Sequence, residues 1–511
     1  AALPAYYVAH PDTTEKIQPN AADPGPQAKT LRIAMARGEY EPVQIVVCAV
    51  RRELRGVRVT AGELRGPDGA RIPGERVVVN PVGFVRCAKP GPGASLAGLI
   101  PDVLLPDRAL EVPAGQRQPF FITVQTTAQD VPGEYHGHVR VTAEGEPATT
   151  LPLVVRVYPL TLPVKSHLRT AFVLWGSYRS FLEATGPNAY LDTYLRYAKV
   201  MLAHRISPIT MWSPTKRPDG TWDFADTDRL LSELVPLGLT TFNIGGNGEV
   251  TGSRNTDFTR AAAAHLKARG WWDLHYVYGH DEANPNRLEE LRHDYSTLTE
   301  AVPDLKIMQT GWSPHPELKG RVRIWCPLTA SADMEAIRAA QREGDEVWWY
   351  VCCGPTAPYA NLFVDYPGIH HRILGWQTFQ HGITGFLYWG VDVWPGNTLS
   401  LKEYDAAGYA NWNPNSFGAY NGDGYLLYPG RGDSPGPSVR LALLRDGFED
   451  YDLFTEARAL ATRAGSAGRR LLRLLEFPDS IGSLNDFHAD GQTLCARREA
   501  ILKAAEALAG R

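Results

Sequence analysis

Hydrophobic and polar positions alternate in short runs between about residues 30 and 160, and Gly- and Pro-rich turns separate the runs. Alternation with a period of two places every second side chain on one face of a β-strand. Several short strands at this spacing are typical of a β-sandwich, which we predict for the N-terminal part of the chain. The residues predicted to face its core include Val43, Ile45, Val47, Leu153, Val155 and Val157.

The pattern changes after the segment PLTLP at residues 159–163. From there on, hydrophobic strands alternate with amphipathic helices, which indicates an α/β fold. The sequence therefore predicts two domains, residues 1–164 and residues 165–511.

The second domain has the size of a (β/α)8 TIM-like barrel and the alternation of strands and helices that is typical of one. Its last barrel helix is expected at residues 439–464, and a helical tail is expected from about residue 466. A doubly wound open sheet is the alternative, but it usually has a Gly-rich phosphate turn after its first strand, and TAFVLWGSYRS has none. The eight candidate strands are TAFVLW, SPITMW, TTFNIG, LHYVYG, KIMQT, VRIWCP, EVWWYV and GFLYWG.

Composition narrows the class of ligand. The 511 residues carry a formal net charge of -4 and no block of Lys and Arg, which disfavours nucleic acid and anionic membranes as partners. No apolar stretch reaches the ~20 residues that a membrane-spanning helix needs. Aromatic residues make up 10% of the chain, including 13 Trp, and flat rings can stack on sugars. A neutral ligand such as a glycan fits these features best.

The six cysteines and the first residues bear on location and metal binding. The cysteines form no CxxC pair and no Cys/His spacing suited to zinc, so we expect no metal and no cofactor. Cys48 and Cys87 could pair in an exported protein, although two free buried thiols fit so sparse a pattern better. The opening AALPAYYVAHP is similar to sequence that follows a signal-peptidase site, which predicts a secreted or cell-surface protein.

The sharpest chemical candidate is the pair Asp281 and Glu282, which follows the fourth predicted strand and adjoins His280. Two acids near a helix start are ordinarily explained by the helix dipole. These acids, however, come directly after an apolar strand, where reactive groups of barrel enzymes lie and where a carboxyl group can be partly desolvated.

Neighbouring side chains on an extended segment point to different sides, so the two acids are poorly placed to attack and protonate one bond. A division of roles suits them better. Glu282 could protonate a glycosidic oxygen while Asp281 holds a neighbouring group of the same sugar. If that group is a 2-acetamido group, its carbonyl oxygen can attack the anomeric carbon itself, and Asp281 stabilises the oxazoline that forms.

Five segments together resemble the catalytic domain of glycoside hydrolase family 123: YGHDEANP, EVWWYVCCGPTAP, YPGIHHRILGWQTFQHGITGFLYWGVDVW, NGDGYLLYPG and SVRLALLRDGFEDYDLF. The resemblance covers about residues 165–511, and RGEYEP and GEYHGHVRV resemble the β-sandwich that precedes this domain. It implies a retaining, exo-acting β-N-acetylgalactosaminidase that uses substrate-assisted catalysis. It also implies that Glu282 is the acid/base and that Asp281 orients the acetamido group.

Further candidates lie at other strand ends. Trp349 and Tyr350 on the seventh strand, and Tyr388 and Trp389 on the eighth, could line an N-acetyl pocket, although alternation leaves about half of them to the core. Tyr350 and Trp389 are the preferred pair. The remaining candidates for sugar contacts are Asp392, Trp394, Asn243, Gln309 and His280.

Two alternatives remain open from the residues. One is a two-carboxylate glycosidase acting on sugars without an acetamido group, with Asp392 or Glu249 as the second carboxylate. The other is a non-catalytic carbohydrate-binding protein on a barrel scaffold. Serine hydrolase and P-loop chemistry are disfavoured because neither GxSxG nor GxxxxGK[ST] is present.

Overall fold

The N-terminal region consists of two sheets that share one hydrophobic core. A computed structural model of the chain describes residues 4–181, 186, 188–209, 214–244, 256–394, 411–430 and 434–510. One sheet has the strand order Tyr6–Ala9, Tyr40–Ala49, Arg117–Gln125, Val77–Cys87, Gly98–Leu104. The other has the order Leu31–Arg37, Thr149–Thr161, Gly133–Thr142, Leu54–Ala61, Leu110–Val112, with Leu64–Arg65 and Arg71–Ile72 beside it. All six predicted core residues lie in the shared core, so the predicted faces are confirmed.

Eight parallel strands follow and form a nearly closed barrel. Each coincides with one of the eight predicted strands. Strands that are neighbours in the chain pair with each other, and the eighth pairs with the first. Within the described residues, no ladder joins the second strand to the third. In chain order, the first to eighth barrel strands are Arg169–Val173, Pro208–Ile209, Phe242–Asn243, His275–Tyr278, Ile307–Thr310, Val322–Cys326, Glu346–Val351 and Gly385–Tyr388.

An α-helix follows every barrel strand except the fifth. There the 3₁₀ turn Pro316–Leu318 stands in its place, because the connection contains Pro314 and Pro316, and proline interrupts helical hydrogen bonding. The arrangement therefore departs from a regular (β/α)8 pattern at this point. The barrel helices are Ala189–Ala203, Ala225–Leu234, Thr256–Ala268, Leu288–Ala301, Met334–Arg342, Ile369–Gln380 and Val439–Arg463.

The predicted helical tail is present as Arg469–Leu474, Asp479–Gly482 and Gly491–Ala509. Its last helix packs on Val439–Arg463 and on the N-terminal strand Thr149–Thr161. Of the helices in the described part of the chain, none combines the length and the apolar character needed to cross a bilayer.

A buried cluster of charged side chains joins the N-terminal sheets to the barrel and the tail. Arg372 donates to Glu41 and to Asp450, each at 2.9 Å. Arg498 of the tail binds Glu39 and lies 2.8 Å from Asp450. We call the whole set the ion cluster: Glu39, Glu41, Asp446, Glu449, Asp450, Asp452, Arg205, Arg372, Arg445 and Arg498.

Carboxyl groups outnumber guanidinium groups in the ion cluster, and burial disfavours the charged form of a carboxyl group. Burial raises the pKa of Glu39 to about 7 although Arg498 opposes it, and raises the pKa of Asp446 to about 7 although Arg445 opposes it. The pKa of Glu449 is likewise raised well above its usual value by burial. Near neutral pH, Glu39 and Asp446 are therefore partly protonated in the folded protein.

The contribution of Glu39 and Asp446 to stability should fall as the pH rises from about 4 to 7, because over this range the folded state keeps protons on these two groups that the unfolded state has lost. The free energy of unfolding is measured by urea denaturation at pH 5 and at pH 8, and the value at pH 8 is subtracted from the value at pH 5. Glu39→Gln should reduce this difference by on the order of 2 kcal/mol. The exposed control Glu335→Gln should leave it unchanged; a Glu39→Gln profile identical to wild type would contradict the assignment.

Candidate functional site

The acid pair lies at the carboxyl end of the barrel, directly after the fourth strand. Asp281 and Glu282 are both exposed, so the partial burial expected from their position is wrong. His280 is buried and turned toward the following helix. Arg287 can only donate, so its contact with Nδ1 of His280 at 3.0 Å leaves Nε2 to donate to Asp294 at 2.9 Å. His280 therefore anchors the turn and does not face the cleft, which corrects its predicted contact with substrate.

Two hydroxyl groups hold the Asp281 carboxylate. Tyr278 donates to Oδ1 from 2.8 Å, and Thr310, at the end of the fifth strand, donates to the same oxygen from 3.0 Å. Thr310 also accepts a hydrogen bond from the backbone N–H of Glu282 at 3.1 Å. Burial, and then the charge of Asp281, raise the pKa of Tyr278 well above its usual value, so this phenol remains a donor.

Glu282 has a different environment. Its backbone is in the left-handed region, with φ of 42°, a conformation that costs a residue with a side chain roughly 1 kcal/mol or more. The Tyr350 hydroxyl donates to its Oε1. Gly311, with φ of 76°, lies against it so closely that an added Cβ would sit 3.1 Å from the Glu282 Cα. The fold thus holds Glu282 in a strained position that turns its carboxylate toward Tyr350.

A cavity of about 680 Å³ opens beside Glu282. Trp312 forms part of its wall, and a hydrogen bond of 2.7 Å from its indole N–H to the Ala283 carbonyl oxygen fixes the ring. The cavity is large enough for a sugar-sized group. Its lining is Glu282, Ala283, Asn284, Pro285, Leu288, Gly311, Trp312, Ser313, His315, Leu328, Ser331 and Tyr350.

Aromatic rings and a buried carboxyl group lie after the eighth strand. Trp389 is half-buried, and its indole N–H donates to Asp423 at 2.9 Å. Tyr388 is fully buried and donates to the same oxygen at 3.1 Å. Burial raises the pKa of Asp423 to about 6. Trp175 and Phe417, which are 46% and 52% exposed, add apolar surface here, since Trp175 donates to the Trp389 carbonyl and Phe417 packs edge-on against the Trp389 ring.

Several other predicted contacts with substrate are wrong because the side chains serve the scaffold. Asp392 is buried and accepts backbone N–H bonds from Trp175, Gly176 and Ser177 at 2.7 to 2.8 Å, so it fixes the loop after the first strand. Trp349 donates to Thr378 in the core outside the barrel, and Trp394 donates to the Leu427 carbonyl.

The two predicted amides have different settings. Gln309 is fully buried, accepts from Tyr295 and donates to the His280 carbonyl at 2.9 Å, so it faces away from the barrel interior and supports the turn that carries the acid pair. Asn243 is fully buried and accepts from the Tyr278 backbone N–H at 3.3 Å. Its contact with substrate stays a prediction.

One group of metal-ligand side chains occurs among the described residues: His280, Glu290 and Asp294 lie with their ligand atoms within 4.8 Å of one another. The guanidinium of Arg287 already fills this place, because it donates to Glu290 at 2.9 Å and contacts His280. The group is therefore satisfied by a protein cation.

Comparison with known proteins assigns the catalytic region. Residues 240–457 match the family model described as the glycoside hydrolase 123 catalytic domain. The chain contains a family 123 glycoside hydrolase domain. This match confirms the resemblance that the motifs indicated, and it places the domain in a family of glycosidases. Among curated proteins, none matches the sequence.

One solved structure shares the overall fold of this chain. A family 123 glycoside hydrolase from Clostridium perfringens, whose structural analysis concerns glycolipid glycan hydrolysis, is 15% identical with a TM-score of 0.71. The match covers 99% of this chain and 98% of that one. At this identity the likeness shows a common fold alone. A family 39 glycoside hydrolase from Bacteroides cellulosilyticus is 12% identical over 82% of each chain, with a TM-score of 0.35 that is too low to support a common fold.

Four residues around the acid pair were missed in the sequence: Tyr278, Thr310, Trp312 and Asp423. For Thr310, the alternation of inward and outward side chains along the fifth strand could have identified the residue. Met308 faces the barrel interior, so Thr310 also does, while Gln309 faces outward. Asp423 sits in an NGDG segment that predicts only a turn, and its proximity to the eighth strand results from tertiary folding.

We expect the Thr310 hydroxyl to position both acids. Thr310→Val should lower kcat for glycoside hydrolysis by on the order of 10- to 100-fold, because Asp281 loses a donor and the Glu282 backbone loses an acceptor. Thr310→Ser keeps the hydroxyl and should retain most activity. Steady-state kinetics with a thermal melt of each variant would test this, and a Thr310→Val enzyme with wild-type kcat would contradict it.

Proposed function

We propose that this chain is a retaining, exo-acting glycoside hydrolase that removes terminal β-linked N-acetylgalactosamine, or a related 2-acetamido sugar, through an oxazoline intermediate. The observation that carries the proposal is that the adjacent acids have separate partners. Asp281 is held by Tyr278 and Thr310, whereas Glu282 meets Tyr350 at the wall of the cavity. This separation supports one orienting carboxylate and one proton-transfer group.

Asp281 is suited to hold the acetamido N–H. Both of its described hydrogen bonds end on Oδ1, so Oδ2 is the oxygen that we assign to the substrate. As the acetamido carbonyl oxygen attacks the anomeric carbon, positive charge spreads onto the amide nitrogen, and the fixed carboxylate stabilises it. Because its donors are set in advance, little reorganisation accompanies this step.

Glu282 is suited to act as acid and then as base. It gives a proton to the glycosidic oxygen as the bond to the anomeric carbon breaks, and it later takes a proton from the water that opens the oxazoline. Two displacements at the anomeric carbon retain its configuration. The raised pKa of Tyr350, caused first by burial and then by Glu282, keeps this hydroxyl protonated, so it can donate to Glu282 or to the acetamido carbonyl.

The substrate is proposed to be the end of a glycan or glycolipid. The exposed ring of Trp175 and the half-buried ring of Trp389 could stack on the sugar, and the cavity beside Glu282 could take the leaving group. The glycolipid hydrolysis associated with the Clostridium perfringens relative is consistent with this class. The proposal also includes two domains, a β-sandwich at residues 1–164 and a TIM-like barrel at residues 165–511, and a secreted or cell-surface location.

The alternative of a two-carboxylate glycosidase had two candidates for its second carboxylate, and the structure argues against one of them. Asp392 is buried and saturated by three backbone N–H groups, so it is not available as a nucleophile. Glu249, the other candidate, lies outside the described residues. The exposed carboxylates beside a cavity argue against a purely binding role.

A panel of aryl β-glycosides that differ at C2 and C4 tests the reaction. We expect chromophore release from the 2-acetamido members, with N-acetylgalactosaminide the fastest, and none from 2-hydroxy sugars. Glu282→Gln should lower kcat/KM by on the order of 10²- to 10⁴-fold, whereas the exposed control Glu289→Gln should not change it. Turnover of 2-hydroxy glycosides alone would overturn the proposal.

A thiazoline mimic of the oxazoline tests the role of Asp281. It should inhibit the wild-type enzyme competitively, and Asp281→Asn should raise its inhibition constant by on the order of 10- to 100-fold because a charged hydrogen bond is lost. Glu289→Gln, which alters an exposed carboxylate that does not line the cavity, is the control. Failure of the thiazoline to inhibit an active wild-type enzyme would exclude attack by the acetamido group.

A further inference from the structure

Two adjacent cysteines stand at the carboxyl end of the seventh barrel strand. Cys352 and Cys353 directly follow Val351, the last residue of that strand. Their sulfur atoms lie 3.9 Å apart, close to contact, and both are free thiols of intermediate exposure. Alternation along a strand would place adjacent side chains on opposite faces, so this approach depends on the local turn.

The turn is fixed by main-chain and amide contacts. The Cys352 backbone N–H donates to the Gly354 carbonyl at 2.7 Å, which bends the chain immediately after the strand. The fully buried Asn361 donates its Nδ2 to the carbonyl oxygens of Cys352 at 3.0 Å and Pro355 at 2.9 Å. The two thiols are therefore held together by the fold and not by a flexible loop.

The cysteines border the proposed active site. Cys352 packs against the apolar barrel interior near Tyr350. Cys353 lies close enough to Asp423 and Glu282 for both carboxylates to raise the pKa of its thiol, after the larger effect of burial. Burial also raises the pKa of the Cys352 thiol, to about 12.

We propose that Cys352 and Cys353 form a redox modification site, at which a low-molecular-weight disulfide such as oxidised glutathione converts them reversibly to a vicinal disulfide. Cys353 loses its proton and attacks one glutathione sulfur, and the departing glutathione sulfur takes up a proton. Cys352 then loses its proton and attacks the Cys353 sulfur of the mixed disulfide, which releases the second glutathione. The cysteines lose two electrons, and one oxidised glutathione becomes two reduced molecules.

A disulfide between two neighbouring residues is expected to be easily reduced. Neighbouring Cα atoms are ~3.8 Å apart, which is shorter than the ~4.4–6.8 Å usual across a disulfide. The ring formed by adjacent cysteines is therefore strained, and strained disulfides are the more easily reduced ones. The modification would replace two thiols by a fixed S–S group at the wall beside Glu282 and Asp423.

The test is made on the folded, full-length protein. Wild type is incubated with oxidised glutathione, free thiols are alkylated under denaturing conditions, and the peptide containing both cysteines is analysed by mass spectrometry. Most of it should escape alkylation and be lighter than the dithiol peptide by two hydrogen atoms. After reduction, both cysteines should take up the alkylating label.

Two variants control the result. Cys495→Ser removes an exposed cysteine of the tail helix and should leave the vicinal disulfide unchanged. Cys353→Ser should abolish it, with a thermal melt to verify folding. Wild-type protein in which both cysteines are alkylated, or in which one retains a glutathione adduct, would overturn the proposal, and this outcome does not depend on the folding of any variant.

Discussion

The ion cluster is the interaction on which the assembly of this molecule depends, because it connects three parts of the chain through charges that are largely buried. Arg372 and Arg498 each bind an acid of the N-terminal sheets and Asp450 of the last barrel helix. Removing one member of such a set leaves a buried charge without compensation, at a cost of about 3–5 kcal/mol. The N-terminal region is thereby fixed to the helices that surround the barrel.

A second buried ion pair links the N-terminal sheets to a loop beside the proposed active site. Arg440, at the start of the last barrel helix, binds Asp102 of the N-terminal sheet at 3.0 Å and donates to the Gly422 carbonyl at 2.8 Å. Gly422 immediately precedes Asp423, which holds Trp389. The N-terminal sheets thus help to position a loop that borders the cleft, although they are remote from it in sequence.

At the site itself, one turn gives two neighbouring acids different properties. His280 fixes the turn from behind, Thr310 links the two acids from the fifth strand, and the strained backbone of Glu282 sets its direction. A turn also decides the arrangement of Cys352 and Cys353. There it brings the two neighbouring side chains together instead of separating them. Both pairs lie where a barrel strand ends, because there the backbone is released from the ladder.

The sequence by itself determined the eight barrel strands, the buried faces of the N-terminal sheets and the family, since these are local: they depend on periodicity and on contiguous motifs. It failed for Trp349, Asp392 and Gln309, because a strand end exposes side chains to two environments and only packing shows which one each side chain enters. The tertiary structure alone brought Thr310 to Asp281 and placed the acids of the N-terminal sheets among the arginines of the last helices. Contacts between residues distant in the chain leave no periodic signal, so they are decided when the elements pack.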